Sequence, residues 1–160
     1  MKRLVAIGTV VVLALAAAGL VLAQSDPVIG TWKLNLAKSK FDPGPPPKSQ
    51  MRTYEAQGDA VKLSVEGTAA DGSTVAYGYI ASEDGKDYPI TGSGVPSGAD
   101  SVAVKRINAN AVELTLKKDG KAIETARRVV SKDGKLLTIN VKGTNAKGQP
   151  FNNVVVFDKQ

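Results

Sequence analysis

Val112-Glu113-Leu114-Thr115-Leu116-Lys117-Lys118-Asp119-Gly120-Lys121-Ala122-Ile123-Glu124-Thr125-Ala126-Arg127-Arg128-Val129-Val130 is the stretch from which the fold can be read. Its first half alternates: Val112, Leu114 and Leu116 are apolar, while Glu113, Thr115 and Lys117 are not. A period of two places one set on a buried face and the other in water, which marks a half-buried strand. Asp119-Gly120 then breaks the pattern. Asp and Gly tolerate the positive φ angles of a two-residue hairpin turn, so the chain reverses here and a second strand returns beside the first.

The same pattern extends in both directions. Asp-Gly recurs at Asp71-Gly72, Asp84-Gly85 and Asp133-Gly134, and each is expected to be a hairpin corner. Val61, Leu63 and Val65 alternate with Lys62, Ser64 and Glu66; Leu137, Ile139 and Val141 alternate with Thr138, Asn140 and Lys142. Strands are expected over residues 29–35, 49–56, 61–67, 74–81, 88–91, 101–107, 112–118, 122–130, 136–143 and 151–157. Residues 36–48 carry Pro43, Pro45, Pro46 and Pro47, and proline lacks the N–H that a helix or central strand needs. That segment is an extended loop, either a plain linker or a rigid rim over a cavity mouth.

Short turns between successive strands make an antiparallel meander. Ten open strands would leave exposed edges, and closure into a barrel removes them. The expectation is therefore an all-β, antiparallel up-and-down β-barrel of about ten strands, with a two-sheet sandwich as the alternative.

Residues 1–23 read as a signal peptide. Lys2 and Arg3 precede an apolar run from Leu4 to Ala18, Gly19 breaks it, and Ala23 offers a small residue before Gln24. An uncleaved anchor is the competing reading. With cleavage, residues 24–160 form one domain, periplasmic or secreted, with no membrane span. Two of the 21 basic residues leave with the leader, so 19 remain against 15 acidic ones, a net charge of +4. These charges alternate along the chain instead of forming a basic stripe, so no nucleic-acid partner is expected.

The sequence has no Cys and no His. Disulfides, His-based acid–base catalysis and His or Cys metal ligation are thereby excluded. Most carboxylates fall in turns or on wet strand faces, where local hydrogen bonding explains them. No enzyme activity, cofactor or metal is expected.

Gly30-Thr31-Trp32, continued as Lys33-Leu34 and followed only by antiparallel hairpins, resembles the calycin group of lipocalins and fatty-acid-binding proteins. Residues 121–139, with Lys121 to Arg128, a turn at Asp133-Gly134-Lys135 and Leu136 to Ile139, are similar to the penultimate hairpin of the fatty-acid-binding proteins. The resemblance implies a lipocalin-like barrel whose tryptophan plugs one end. It also implies that a basic position in that hairpin contacts a bound carboxylate. The chain departs from the group in two ways. The proline-rich loop stands where the group has a two-helix lid, and the last strand, Asn152 to Phe157, lacks the group's Arg-x-Tyr.

Candidate ligand-binding residues follow from strand phase. Arg127 shares the phase of Ile123, Thr125 and Val129, and points inward if they do; otherwise Arg128 takes the inward place. Arg106 shares the phase of Val102 and Val104. Tyr77 and Tyr79 lie on one face, either lining a cavity or packing as an ordinary aromatic pair. The functional expectation is an exported, lipocalin-like monomer that binds a small hydrophobic or amphipathic ligand inside the barrel. The alternative is a structural or interaction module of the cell envelope with a packed interior.

Overall fold

The structure is a computed structural model that describes residues 25–145 and 147–160, so the signal-peptide reading of residues 1–23 lies outside the described residues. Ten strands follow in order: β1 (Gly30–Leu34), β2 (Ser49–Gln57), β3 (Ala60–Thr68), β4 (Thr74–Ala81), β5 (Asp84–Ser93), β6 (Ser101–Asn108), β7 (Ala111–Lys118), β8 (Lys121–Val130), β9 (Leu136–Thr144) and β10 (Pro150–Lys159). Each pairs antiparallel with the next, and β1 closes on β10. The result is a closed up-and-down barrel of ten strands and not a sandwich.

The corners form for local reasons. Asp119 (φ +48°) and Gly120 (φ +73°) both occupy the left-handed region, which a two-residue turn matched to strand twist requires. Asp84-Gly85 differs from expectation. It lies inside β5, where the register with β6 slips between Asp84 and Asp87, and the reversal occurs at Ser82-Glu83. The Lys86 N–H donates to Asp84 Oδ1 (3.0 Å). One class of β-bulge uses a glycine in the left-handed region, and Gly85 (φ +79°) supplies it.

Ladder lengths are uneven. β2 and β3 stay in register from Ser49–Thr68 to Gln57–Ala60, and β9 and β10 from Thr144–Pro150 to Leu136–Asp158. β4 and β5 pair only from Ala76–Ser93 to Tyr79–Ile90, and β1 meets β10 only from Trp32–Lys159 to Leu34–Phe157.

The two ends of the barrel are built differently. At one end, residues 25–29 lead into β1 and bring Val28 fully inside, 1% exposed. Trp32 is completely buried and donates its indole N–H to the Val28 carbonyl (2.7 Å). Lys159 Nζ sits 5.1 Å from the centre of the same ring. This is the plug that the resemblance implied.

At the opposite end the proline-rich loop is tied along β10. Lys40 exchanges backbone hydrogen bonds with Val154 (2.7 and 2.8 Å), and the Asn152 N–H donates to the Asp42 carbonyl (2.9 Å). The loop is thus anchored at its start and crosses the open end as a rim.

Candidate ligand-binding site

Which side chains of β8 face inward is decided by one residue. Lys118 pairs with Lys121 and Lys117 with Ala122, but Leu116 pairs with Glu124. Ile123 is the extra residue of a β-bulge. Directly opposed residues share a face, so without the bulge inward-facing Leu116 would meet Ile123, and Arg127 would follow it inward. With the bulge, Glu124, Ala126, Arg128 and Val130 turn inward and are buried.

Arg127 is therefore corrected to the outer face, where it is exposed and stands opposite Glu113 and Asn140. Arg128, 4% exposed, takes the inward position.

Arg106 does follow the phase of Val102 and Val104, but it lies at the plugged end. Its guanidinium meets the carboxylates of both Asp26 and Glu83 and donates to the carbonyls of Asn108 (3.3 Å) and Ala109 (3.2 Å). A cation so fully partnered is a structural clamp on residues 25–29 and has no donor set free for a ligand. Glu83 also accepts from Arg128 (3.1 Å), whose guanidinium packs 4.9 Å from the centre of the Tyr54 ring.

Tyr77 and Tyr79 share one face, as their spacing predicted, and that face lines the barrel interior. With them stand Arg52 and Tyr54 of β2 and Glu124 of β8, none of which strand phase had singled out. Arg52 donates to Gln50 Oε1 (3.1 Å), to the Tyr54 hydroxyl (3.4 Å) and to the Tyr77 hydroxyl (3.3 Å), and lies 5.3 Å from the centre of the Phe157 ring. All these partners are neutral. Among the described residues Arg52 has no carboxylate within ion-pair distance, although a guanidinium is always charged. The Tyr79 hydroxyl is buried and has no hydrogen-bond partner.

Electrostatics follow from this layer. Burial pushes the Tyr77 and Tyr79 hydroxyls above the usual tyrosine range. Burial opposes ionisation of Tyr54 too, but Arg52 and Arg128 outweigh it and hold that hydroxyl below the usual range. Burial raises the Glu124 carboxyl, against the opposing pull of its Ser97 hydrogen bond and of Arg52.

Above the layer, a cavity of about 300 Å³ opens beneath the proline-rich rim. Phe41, Pro45 and Pro47 form its roof, and Ile139, Val141 and Val155 its apolar wall. Among the described residues, Arg52 and Glu124 are its only charged lining residues. The interior below is nearly filled, with about 50 Å³ left among the tyrosines and arginines. Ten strands give room, and here bulky polar side chains occupy most of it. A wider concavity of about 510 Å³ lies open against β3, β4 and β5, where the β4–β5 ladder is short, but its cation, Lys62, is exposed and paired with Glu55 (3.4 Å). Among the described residues no three His, Cys, Asp or Glu side chains are placed to hold a metal ion.

No protein-family model matches the chain, and no curated protein matches its sequence. Among solved structures, it is similar to zebrafish ileal bile acid-binding protein complexed with cholic acid. That match has 12% identity and a TM-score of 0.48, and covers 84% of this chain and 99% of the other. It is also similar to a redesigned β-barrel bound to DFHBI, with 12% identity and a TM-score of 0.41, covering 83% of this chain and 95% of the other.

Proposed function

We propose that this barrel binds a small amphipathic molecule, with an anionic or strongly accepting head on Arg52 and an apolar part under the proline-rich rim. The observation that carries the reading is Arg52: a permanent cation inside a barrel, facing a cavity, with only neutral partners. Charge without a counter-ion is costly in such surroundings, and an anionic head would supply one. The unpartnered Tyr79 hydroxyl offers a further polar contact deeper in the same space. The cavity sits at the lower end of the size range for small-molecule sites, so the ligand is compact and stays near the mouth.

The role is carriage or sequestration and not catalysis, and the leader-like residues 1–23 support a place outside the cytoplasm. A second reading, a packed module acting through its surface, is favoured by the roughly 50 Å³ left below the polar layer. The two separate on one experiment. Native mass spectrometry of the purified protein should show a co-purifying small molecule, and anilinonaphthalene sulfonate should bind in solution. Arg52→Met should weaken that binding about tenfold or more. A protein with no bound species and no response to the probe would be the packed module instead.

A further inference from the structure

Among the described residues, Arg52 and Glu124 are the only charged side chains lining the mouth cavity, they carry opposite sign, and they are not paired with each other within 4 Å. Glu124 is 7% exposed, and its one side-chain hydrogen bond comes from the Ser97 hydroxyl (3.2 Å) in the 3-10 turn Pro96–Gly98. We propose that ligand binding is coupled to protonation of Glu124, so that an anion enters the cavity when Glu124 is neutral and is expelled when it ionises. This rests on the anion site proposed for Arg52.

The argument is one of like charges in a confined space. A head group brought to Arg52 shares about 300 Å³ with the Glu124 carboxyl. Two carboxylate-like charges in a poorly solvated cavity cannot both persist cheaply, and the group that can take up a proton does so. Few other groups could absorb the conflict. Glu124 shares the interior with Arg52 and Tyr54 of β2, Tyr77 and Tyr79 of β4, Arg128 of its own strand and Ser97 of the β5–β6 loop, and among these it is the one carboxyl. The lining residues of β7 and β9 near it, Leu116, Ile139 and Val141, are apolar. Burial already favours the neutral acid, which places Glu124 closer to the point of protonation than an exposed glutamate.

Linkage fixes the sign. If binding draws in a proton, affinity must fall as pH rises through the range in which Glu124 loses its proton. Ser97 connects the same carboxyl to the loop at the rim, so ionisation also alters the contact that holds the rim turn.

The test uses anilinonaphthalene sulfonate, whose sulfonate stays ionised throughout, so any pH dependence belongs to the protein. Its affinity is expected to fall about tenfold between about pH 5 and pH 8. Glu124→Gln, which mimics the neutral acid, should bind tightly and equally across that range. Calorimetry of the unaltered protein in two buffers of different ionisation enthalpy should show proton uptake on binding, so the inference stands or falls even if the variant does not fold. Binding that is tight but independent of pH, without proton uptake, would overturn the coupling and leave the Arg52 site intact. Absence of probe binding at every pH would overturn both.

Discussion

At the plugged end of the barrel, Arg106 and Arg128 share the carboxylate of Glu83, and Asp26 gives Arg106 a second acid. On the mouth side, Arg52 is held only by an amide oxygen, two phenol oxygens and the face of Phe157. The residue type is the same and the surroundings are opposite. Where the charge is neutralised, the arginine fastens chain segments together; where it is left open, the arginine faces a cavity. The carboxylate partner, more than inward direction, separates scaffold from site.

The plugged end should fail first. Trp32→Ala removes the largest fully buried side chain and its hydrogen bond to Val28, and should cost about 4 kcal/mol in denaturant unfolding followed by circular dichroism. Glu83→Ala should cost about 3 kcal/mol, because it strips buried Arg128 of the acid it is paired with. Arg52→Met should go the other way and raise stability by about 1.5 kcal/mol, since it replaces an unpaired inward charge with apolar bulk. If Arg52→Met destabilised the fold as Glu83→Ala does, the contrast between the two ends would collapse. Gly120→Ala, in the mouth-end turn between β7 and β8, should cost about 1 kcal/mol from its φ of +73° alone, since nothing lies within 4 Å of an added Cβ. Probe affinity of the folded fraction should be unchanged in that variant, which separates a corner of the mouth end from its cavity.

Most strand positions and the antiparallel closure were legible because alternation and turn chemistry are local, while the tryptophan plug was expected only from the resemblance carried by Gly30-Thr31-Trp32. The site was less so. In β8 the phase of Ile123, Thr125 and Val129 would carry Arg127 inward and the other phase Arg128, and a single bulge at Ile123 decides for Arg128; no local residue pattern announces that bulge. In β2 the inward phase is Gln50, Arg52 and Tyr54 while Met51 faces water, so the rule that apolar residues go inside points the wrong way just where the interior is polar. For Arg106 the phase was right, but its neutralising partners stand at positions 26 and 83, far along the chain. Tyr77 and Tyr79 were legible because β4 is regular and unbulged against β3.

The short ladders divide the barrel more sharply than its continuous hydrogen bonding suggests. β1 is tied only from Gly30–Tyr54 to Lys33–Met51 on one side and over the brief β10 seam on the other. β5 is tied by the brief β4 seam and by a bulged ladder to β6. Between them stand two better-paired ribbons, β2–β4 and β6–β10. Cooperative opening units follow such differences in local hydrogen bonding, so the wall should breathe as two leaves hinged at β1 and β5. Arg52, Tyr77 and Tyr79 belong to one leaf, Glu124 and Arg128 to the other. A molecule seated between Arg52 and Glu124 would therefore span the crack between the leaves, and its occupancy would be felt in how often the whole wall parts.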